Sequence, residues 1–342
     1  VKTGQGGMSL SRPSKLRAAV VGLGKAGSRF DEEPRGAVWS HVGAYLAAND
    51  IYELAGAADP DADSRAAFSR RCPGVPCYTS AAEMCSAIRP DVVSIATPIN
   101  VREQVFDDLL QGAAAPRAII CEKPLATNGH TRWQCVERCR TKGVPLLVHY
   151  NRRYASVYQR ICTSIREGLI GDVTSITVRM ANRLWSVGSH ALDLLLYLAA
   201  EQPCTWRGLE LPHLAQGGEP AIDFICCFPS GTAGRVLNQG LKQLMIFEAD
   251  VVGTKGRLLA SGNGEMLHYI PFAPSPKYLD YLIGQSPQCL HTTPTDESTF
   301  VAVVRESAEV LGSGKQPTCS GETALRSEEF LDELSKCGSK HD

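Results

Sequence analysis

Residues 18–27 read Ala-Ala-Val-Val-Gly-Leu-Gly-Lys-Ala-Gly, a short apolar run that empties into G-x-G-x-x-G. Gly22 permits a tight turn out of a strand, Gly24 leaves the backbone bare enough for a pyrophosphate to approach, and Gly27 lets the next segment pack on the strand. Backbone N–H groups from Lys25 and Ala26 onward then face the phosphates. A second strand candidate at 52–58 runs into Asp59, the acidic residue that such a site needs for the ribose hydroxyls. Its carboxylate would repel the roughly −1.5 to −2 charge of a 2′-phosphate, so the expected cofactor is NAD, with NADP disfavoured. Arg65, Arg70 and Arg71 soften that repulsion.

Around this motif, β-rich runs at 18–22, 52–58, 92–97, 118–122 and 146–151 alternate with helix-period stretches at 42–49, 62–71, 81–88, 101–111 and 131–142. Alternation of this kind predicts right-handed crossovers and a doubly wound parallel sheet, a Rossmann domain over residues 16–150. Past Tyr154 the rhythm changes. Helices at 156–167 and 190–198, strands at 173–180, 221–228, 234–237, 244–253, 257–260 and 266–270, and closing helices at 297–311 and 322–334 predict an α/β domain. Turn residues such as Pro229, Ser230 and Gly231 make its sheet mostly antiparallel and open. Residues 151–342 are therefore expected to form a substrate-binding and oligomerising domain, and residues 1–15 a flexible leader. The Gly-rich start before Met8 suits a GTG-initiated or added segment.

Charge narrows the partners. Thirty-five Lys and Arg nearly cancel 36 Asp and Glu in 342 residues, which gives no basic field for nucleic acid. The first 150 residues carry 18 basic and 15 acidic side chains, the rest 17 and 21. That sign suits a first half that holds an anionic cofactor and a second that tolerates a neutral or cationic substrate. The 13 Cys are odd in number and unpaired in spacing, as in a reducing cytosol. Neither Cys135 with Cys139 nor Cys226 with Cys227 completes a four-ligand set, so no metal is expected. No apolar run approaches the roughly 20 residues that a bilayer requires.

Cys121, Glu122, Lys123, Pro124 and Leu125 follow the fifth strand, at the carboxyl edge where open α/β sheets bind ligands. A Lys there, short of hydration and beside a cationic nicotinamide, has its pKa drawn toward ~7 to 8, where it serves as acid or base. The fingerprint, Thr97 and Pro98 after the fourth strand, Glu122 to Pro124, Asn151 and Arg152 after the sixth strand, and Gly188, Ser189, His190 with Asp193 together resemble the Gfo/Idh/MocA oxidoreductases. So do residues 252–256 and 317–329, and the resemblance spans about residues 16–335.

The resemblance implies hydride chemistry on sugars, inositols and related polyols, a second-domain sheet that mediates homo-oligomers, Lys123 near the reacting hydroxyl, and His190 as the second catalytic group. Thr97, Pro98, Glu122 and Lys123 are expected at the cofactor; Asn151, Arg152 and Tyr154 would orient the sugar. Asp193, three residues after His190, would orient the imidazole, or else serve a cap or salt bridge. Three positions depart from the pattern. Ser186 stands where many sugar-oxidising members carry an Asp, so no charge there holds Lys123 protonated. His41 comes fourteen residues after Gly27, behind an insertion with Asp31, Glu32, Glu33 and Trp39, and Trp39 and His41 are expected at the pocket. Arg102 stands where a His is frequent.

The expectation is a cytosolic NAD-dependent dehydrogenase acting on a sugar, cyclitol or amino sugar, the last as in an antibiotic pathway of a high-GC bacterium. The rivals are an imine or enone reductase and a non-catalytic NAD-binding regulatory module.

Overall fold

The computed structural model describes residues 15–33, 36–111, 114–211, 221–240 and 244–337. Most of the expected leader, and Pro34 and Arg35 of the insertion, lie outside them.

The first domain has six parallel strands: β1 (Leu16–Val21), β2 (Tyr52–Ala58), β3 (Cys77–Tyr78), β4 (Val92–Ile95), β5 (Ala118–Glu122) and β6 (Leu146–His149). They are ordered β3-β2-β1-β4-β5-β6, so the order reverses beside β1 and opens a crevice at its carboxyl end. The central strands are buried on both faces; Ala18, Ala19 and Val20 are completely so. Helices α1 (His41–Ala47), α2 (Ala62–Arg71), α3 (Ala81–Ile88), α4 (Arg102–Leu110) and α5 (Gly129–Lys142) cover them. Ser40, Asp61, Ser80 and Asn128 cap four of these helices through their side-chain oxygens. Cys135 and Cys139 share the buried face of α5 and belong to the core.

The second domain opens with α6 (Ser156–Arg166), β7 (Val173–Met180) and α7 (Ser189–Ala199). It continues through β8 (Thr205–Glu210), β9 (Ile222–Cys227), β10 (Ala233–Asn238), β11 (Phe247–Gly253), β12 (Gly256–Ser261), β13 (Met266–Pro274), β14 (Leu282–Gly284) and β15 (Gln288–Thr292). These build a nine-stranded sheet in the order β14-β13-β12-β11-β7-β10-β9-β8, with β15 on β13; β7 with β10 is its one parallel pair among the described residues. Alternate residues of β9 and β10 point inward to Leu194, Leu195 and the rest of α7, and their neighbours face out.

Two closing helices tie the halves together. Phe300, Val303 and Val304 of α8 (Thr299–Ser313) enter the core formed by Val20, Tyr45 and Tyr52, and α9 (Gly321–Cys337) packs on both α5 and α7. No helix among the described residues is long and apolar enough to cross a membrane.

Candidate active site

The glycine motif is built as its spacing demands. Gly22 has φ +92°, and a Cβ there would sit 2.8 Å from the Ala96 carbonyl carbon and the Thr97 nitrogen. A Cβ on Gly27 would reach the Gly22 oxygen at 1.9 Å, whereas nothing lies within 4 Å of one on Gly24. The space over Gly24 is therefore open, and Lys25 beside it is exposed. One helical turn follows, with the N–H groups of Ser28 and Arg29 both bonded to the Gly24 oxygen. The chain then leaves as the insertion and re-enters at α1, where the N–H groups of His41 and Val42 bond the carbonyls of Ala26 and Gly27. Asp31 anchors the excursion: it accepts from the Trp39 N–H at 2.6 Å and the Ser40 hydroxyl, and pairs with Arg71 at 2.9 Å.

Asp59 sits half-buried at the end of β2. Its carboxylate accepts from Leu23 N at 2.7 Å and Asp61 N at 2.9 Å, which fixes it against the fingerprint turn. Across the crevice, Thr97 is buried and its hydroxyl has no partner, and Pro98 is exposed. Arg102 turns out to be a clamp. Its guanidinium donates to the carbonyls of Thr97, Glu122 and Pro124, stitching the loop after β4 to the loop after β5.

Lys123 projects from that second loop toward the turn before α7. Its Nζ donates to the Ser186 carbonyl at 2.6 Å and the Ser189 hydroxyl at 3.2 Å. Ser186 thus contributes backbone, while its own hydroxyl, exposed, donates to the Arg183 carbonyl. The turn, Leu184–Gly188, is a widened π-type turn that presents this carbonyl, and π-turns recur at functional sites. Burial draws the Lys123 pKa down to about 8 against the pull of Glu122 and Glu328, with Arg102 adding to the decrease. His190 lies within the field of Lys123: burial first, then the charges of Lys123 and Arg152, keep it far below the usual imidazole range and hence neutral. Its Nδ1 is buried without a partner, and its ring stands edge-on to Tyr150, 5.7 Å between centroids.

Behind these groups stand two carboxylates that the sequence did not single out in this role. Glu328 of α9 is completely buried; it accepts from Leu125 N at 3.0 and 3.1 Å and from the Tyr150 hydroxyl at 3.1 Å. Burial raises its pKa to about 7, opposed by these bonds and by Arg132. Glu122 offers a single oxygen, Oε1, to His41 Nε2 at 3.1 Å and His149 Nδ1 at 2.9 Å. Burial alone would raise its pKa, but the two imidazoles carry it well below the usual range. The three side chains are close enough to hold a metal ion, but the hydrogen bonds already satisfy the facing nitrogens and the Arg102 charge bears on His41. His41 is therefore sealed under Glu122, with Phe300 against its ring, and Trp39 lies 42% exposed on the insertion.

Three of the residues expected at the substrate are placed differently. Tyr154 is buried with its hydroxyl on Glu306 at 3.0 Å. Asp193 is completely buried and forms a two-pronged pair with Arg153, 2.8 Å on each side, with a third bond from Ser327. It orients the turn after β6 and does not touch His190, because a buried guanidinium draws the carboxylate more strongly than a neutral ring. His41 is the third, for the reason just given. Asn151 and Arg152 remain at the carboxyl edge: Asn151 Oδ1 and Arg152 Nε are buried and unpartnered, and the Arg152 guanidinium lies 4.1 Å over the Phe247 ring.

A family profile described as "Oxidoreductase family, NAD-binding Rossmann fold" matches residues 16–150. The chain is 26% identical to the rhizopine catabolism protein MocA of Rhizobium meliloti, over 65% of this chain and 71% of that one. It is 24% identical to an inositol 2-dehydrogenase of Rhizobium meliloti, over 66% and 73%. Its fold matches the WlbA dehydrogenase of Bordetella pertussis, solved with NADH and UDP-GlcNAcA, at a TM-score of 0.72 and 18% identity, over 95% of this chain and 98% of that one. With the fingerprint, the crevice and the Glu-Lys-Pro loop in place, residues 16–150 are the NAD-binding domain of the Gfo/Idh/MocA oxidoreductase family, and the chain is similar to its members beyond that domain.

Proposed function

We propose that this protein is an NAD-dependent dehydrogenase that interconverts a secondary hydroxyl and a ketone on a sugar or cyclitol. The observation that carries the reading is the Lys123 amine, poised near pH 8 and tethered by two acceptors at the crevice mouth. A neutral amine has two N–H bonds and one lone pair. With the N–H bonds committed to the Ser186 carbonyl and the Ser189 hydroxyl, the lone pair is left for a substrate hydroxyl proton. In the reverse direction the third N–H returns it. Neutral His190 donates one hydrogen bond to the same oxygen and cannot compete for the proton. NAD, when bound, supplies the hydride acceptor at C4 of its nicotinamide. Ser186, in place of a carboxylate, leaves Lys123 easier to deprotonate, which favours oxidation near neutral pH.

An amino sugar is a narrower version of this substrate, supported by the acidic balance of the second half and by Glu32 and Glu33. Lys123 and Arg152, both cations at the site, weigh against it. The outward face of the second sheet, with Leu209 and Ile225 about half exposed, is the surface we assign to self-association in the cytosol, and sedimentation velocity tests it.

The test is a panel of sugars, cyclitols and amino sugars with NAD and NADP, followed by the absorbance of reduced nicotinamide. Lys123→Met is expected to lower kcat by at least ~100-fold, the scale of one general base, while NADH affinity stays. Turnover at the native rate in that variant refutes the assignment, and reduction of imines without reverse alcohol oxidation favours the reductase instead.

A further inference from the structure

Among the described residues, the cations drawn largely out of solvent are provided for, except the part-buried Arg152. Arg153 has both prongs on Asp193, Arg132 has Glu328 and Asp332, and Arg102 has three carbonyls. Arg152 has a single long bond, Nη1 to the Asn263 carbonyl at 3.4 Å, and the face of Phe247. Its Nε–H is buried with nothing to donate to, and the adjacent Asn151 Oδ1 is buried with nothing to accept from. No carboxylate lies within ion-pairing distance of it among the described residues. The acids around the site are all engaged elsewhere: Glu122 by His41 and His149, Glu328 by Leu125, Tyr150 and Arg132, and Asp193 by Arg153 and Ser327.

A guanidinium that keeps its charge while shedding water needs a counter-charge or several good acceptors. Arg152 has neither, although it follows β6 at the crevice edge and its field reaches His190. Its planar fork, held flat by Phe247, suits a carboxylate or phosphate taken edge-on.

Resting on the dehydrogenase reading, we propose that the substrate carries an anionic oxygen group, a carboxylate or a phosphate, that pairs with Arg152 while the hydroxyl to be oxidised faces Lys123. Arg152 thereby becomes the specificity residue.

The experiment is calorimetric titration of the NADH-loaded protein with glucose, glucosamine, glucuronate, glucose 6-phosphate and inorganic sulfate. This readout does not depend on turnover. Glucuronate or glucose 6-phosphate is expected to bind at least ten times more tightly than glucose, and glucosamine no more tightly; which of the two anions leads tells carboxylate from phosphate. In Arg152→Gln the ratio of anionic to neutral affinity falls toward one, and in Arg152→Lys part of it returns. NADH affinity and melting temperature report whether each variant is folded, and the wild-type ratio alone is decisive if neither is. Equal binding of glucose and the anions, no anion binding at all, or a preference that survives Arg152→Gln overturns the proposal. Anion binding without hydride transfer to any sugar instead leaves this inference standing and removes the dehydrogenase reading beneath it.

Discussion

Glu328 lies on a closing helix, far along the chain from Lys123, yet its charge bears on the titration of that lysine and so, under the proposed mechanism, on the pH at which the lysine acts. The fall of the Lys123 pKa from 10.5 to about 8 corresponds to about 3 kcal/mol against its charged form, at ~1.4 kcal/mol per unit. That figure is net of two carboxylates pulling the other way, Glu122 and Glu328. Glu328 is bonded to the backbone two residues beyond Lys123, so the two charges lie within about 12 Å, where at an effective dielectric near 20 they interact by about 1.4 kcal/mol or more. In Glu328→Gln the amide oxygen still accepts from Leu125 and Tyr150, while the charge is lost. The rising limb of kcat/KM for alcohol oxidation is expected near pH 8 in the wild type, since in the proposed mechanism the neutral amine is the active form and appears as pH rises through its pKa. In the variant the limb moves down by about one unit. Burial raises the Glu328 pKa to about 7, so it is mostly ionised at the wild-type limb near pH 8. Steady-state rates from pH 6 to 10 with NAD decide it, with NADH affinity as the control for geometry. A limb that stays in place or moves upward refutes the electrostatic role, and a wild-type limb near 10 refutes the burial of Lys123.

Gly24→Ala meets open space, so melting should be nearly unchanged while NADH affinity falls at least tenfold; Gly27→Ala drives a methyl into the Gly22 carbonyl and should cost both. Asp59→Asn keeps an acceptor for Leu23 N but removes the charge that repels a 2′-phosphate, so the ratio of kcat/KM for NADP over NAD should rise at least tenfold, and an unchanged ratio removes Asp59 from cofactor choice. Asp193→Asn strips the buried Arg153 guanidinium of its counter-ion and should cost ~3 to 5 kcal/mol in urea denaturation; a loss below ~1 kcal/mol contradicts the pairing.

What the amino-acid sequence makes legible is what depends on neighbours along the chain. The fingerprint is a run of ten residues whose glycines each have a local reason, and 173–180 is a run rich in β-branched residues whose limits as a strand agree with the structure. The short edge strands β14 and β15 left little pattern, because their residues are largely exposed and bury no alternating face. Of the candidate site, Lys123, His190 and Arg152 are legible in the sequence because a motif marks them. Glu328, and the meeting of His41 with Glu122 and His149, depend on pairings across 81 residues or more, or on two imidazoles sharing one oxygen. No periodicity records such a pairing. Asp193 shows how spacing leaves a choice open: it stands one helical turn from His190, and of the roles its position allowed, the salt bridge is the one formed, with Arg153 from another element.

The excursion between Gly27 and His41 has a consequence for how this scaffold can vary. Because the peptide groups of His41 and Val42 close onto those of Ala26 and Gly27, the two cut ends of the helix meet as adjacent rungs. A loop grafted at such a joint can be lengthened, shortened or rewritten while the ladder beneath it stays continuous. New contacts at the rim of the crevice can thus be gained without disturbing the glycine turn that cradles the dinucleotide.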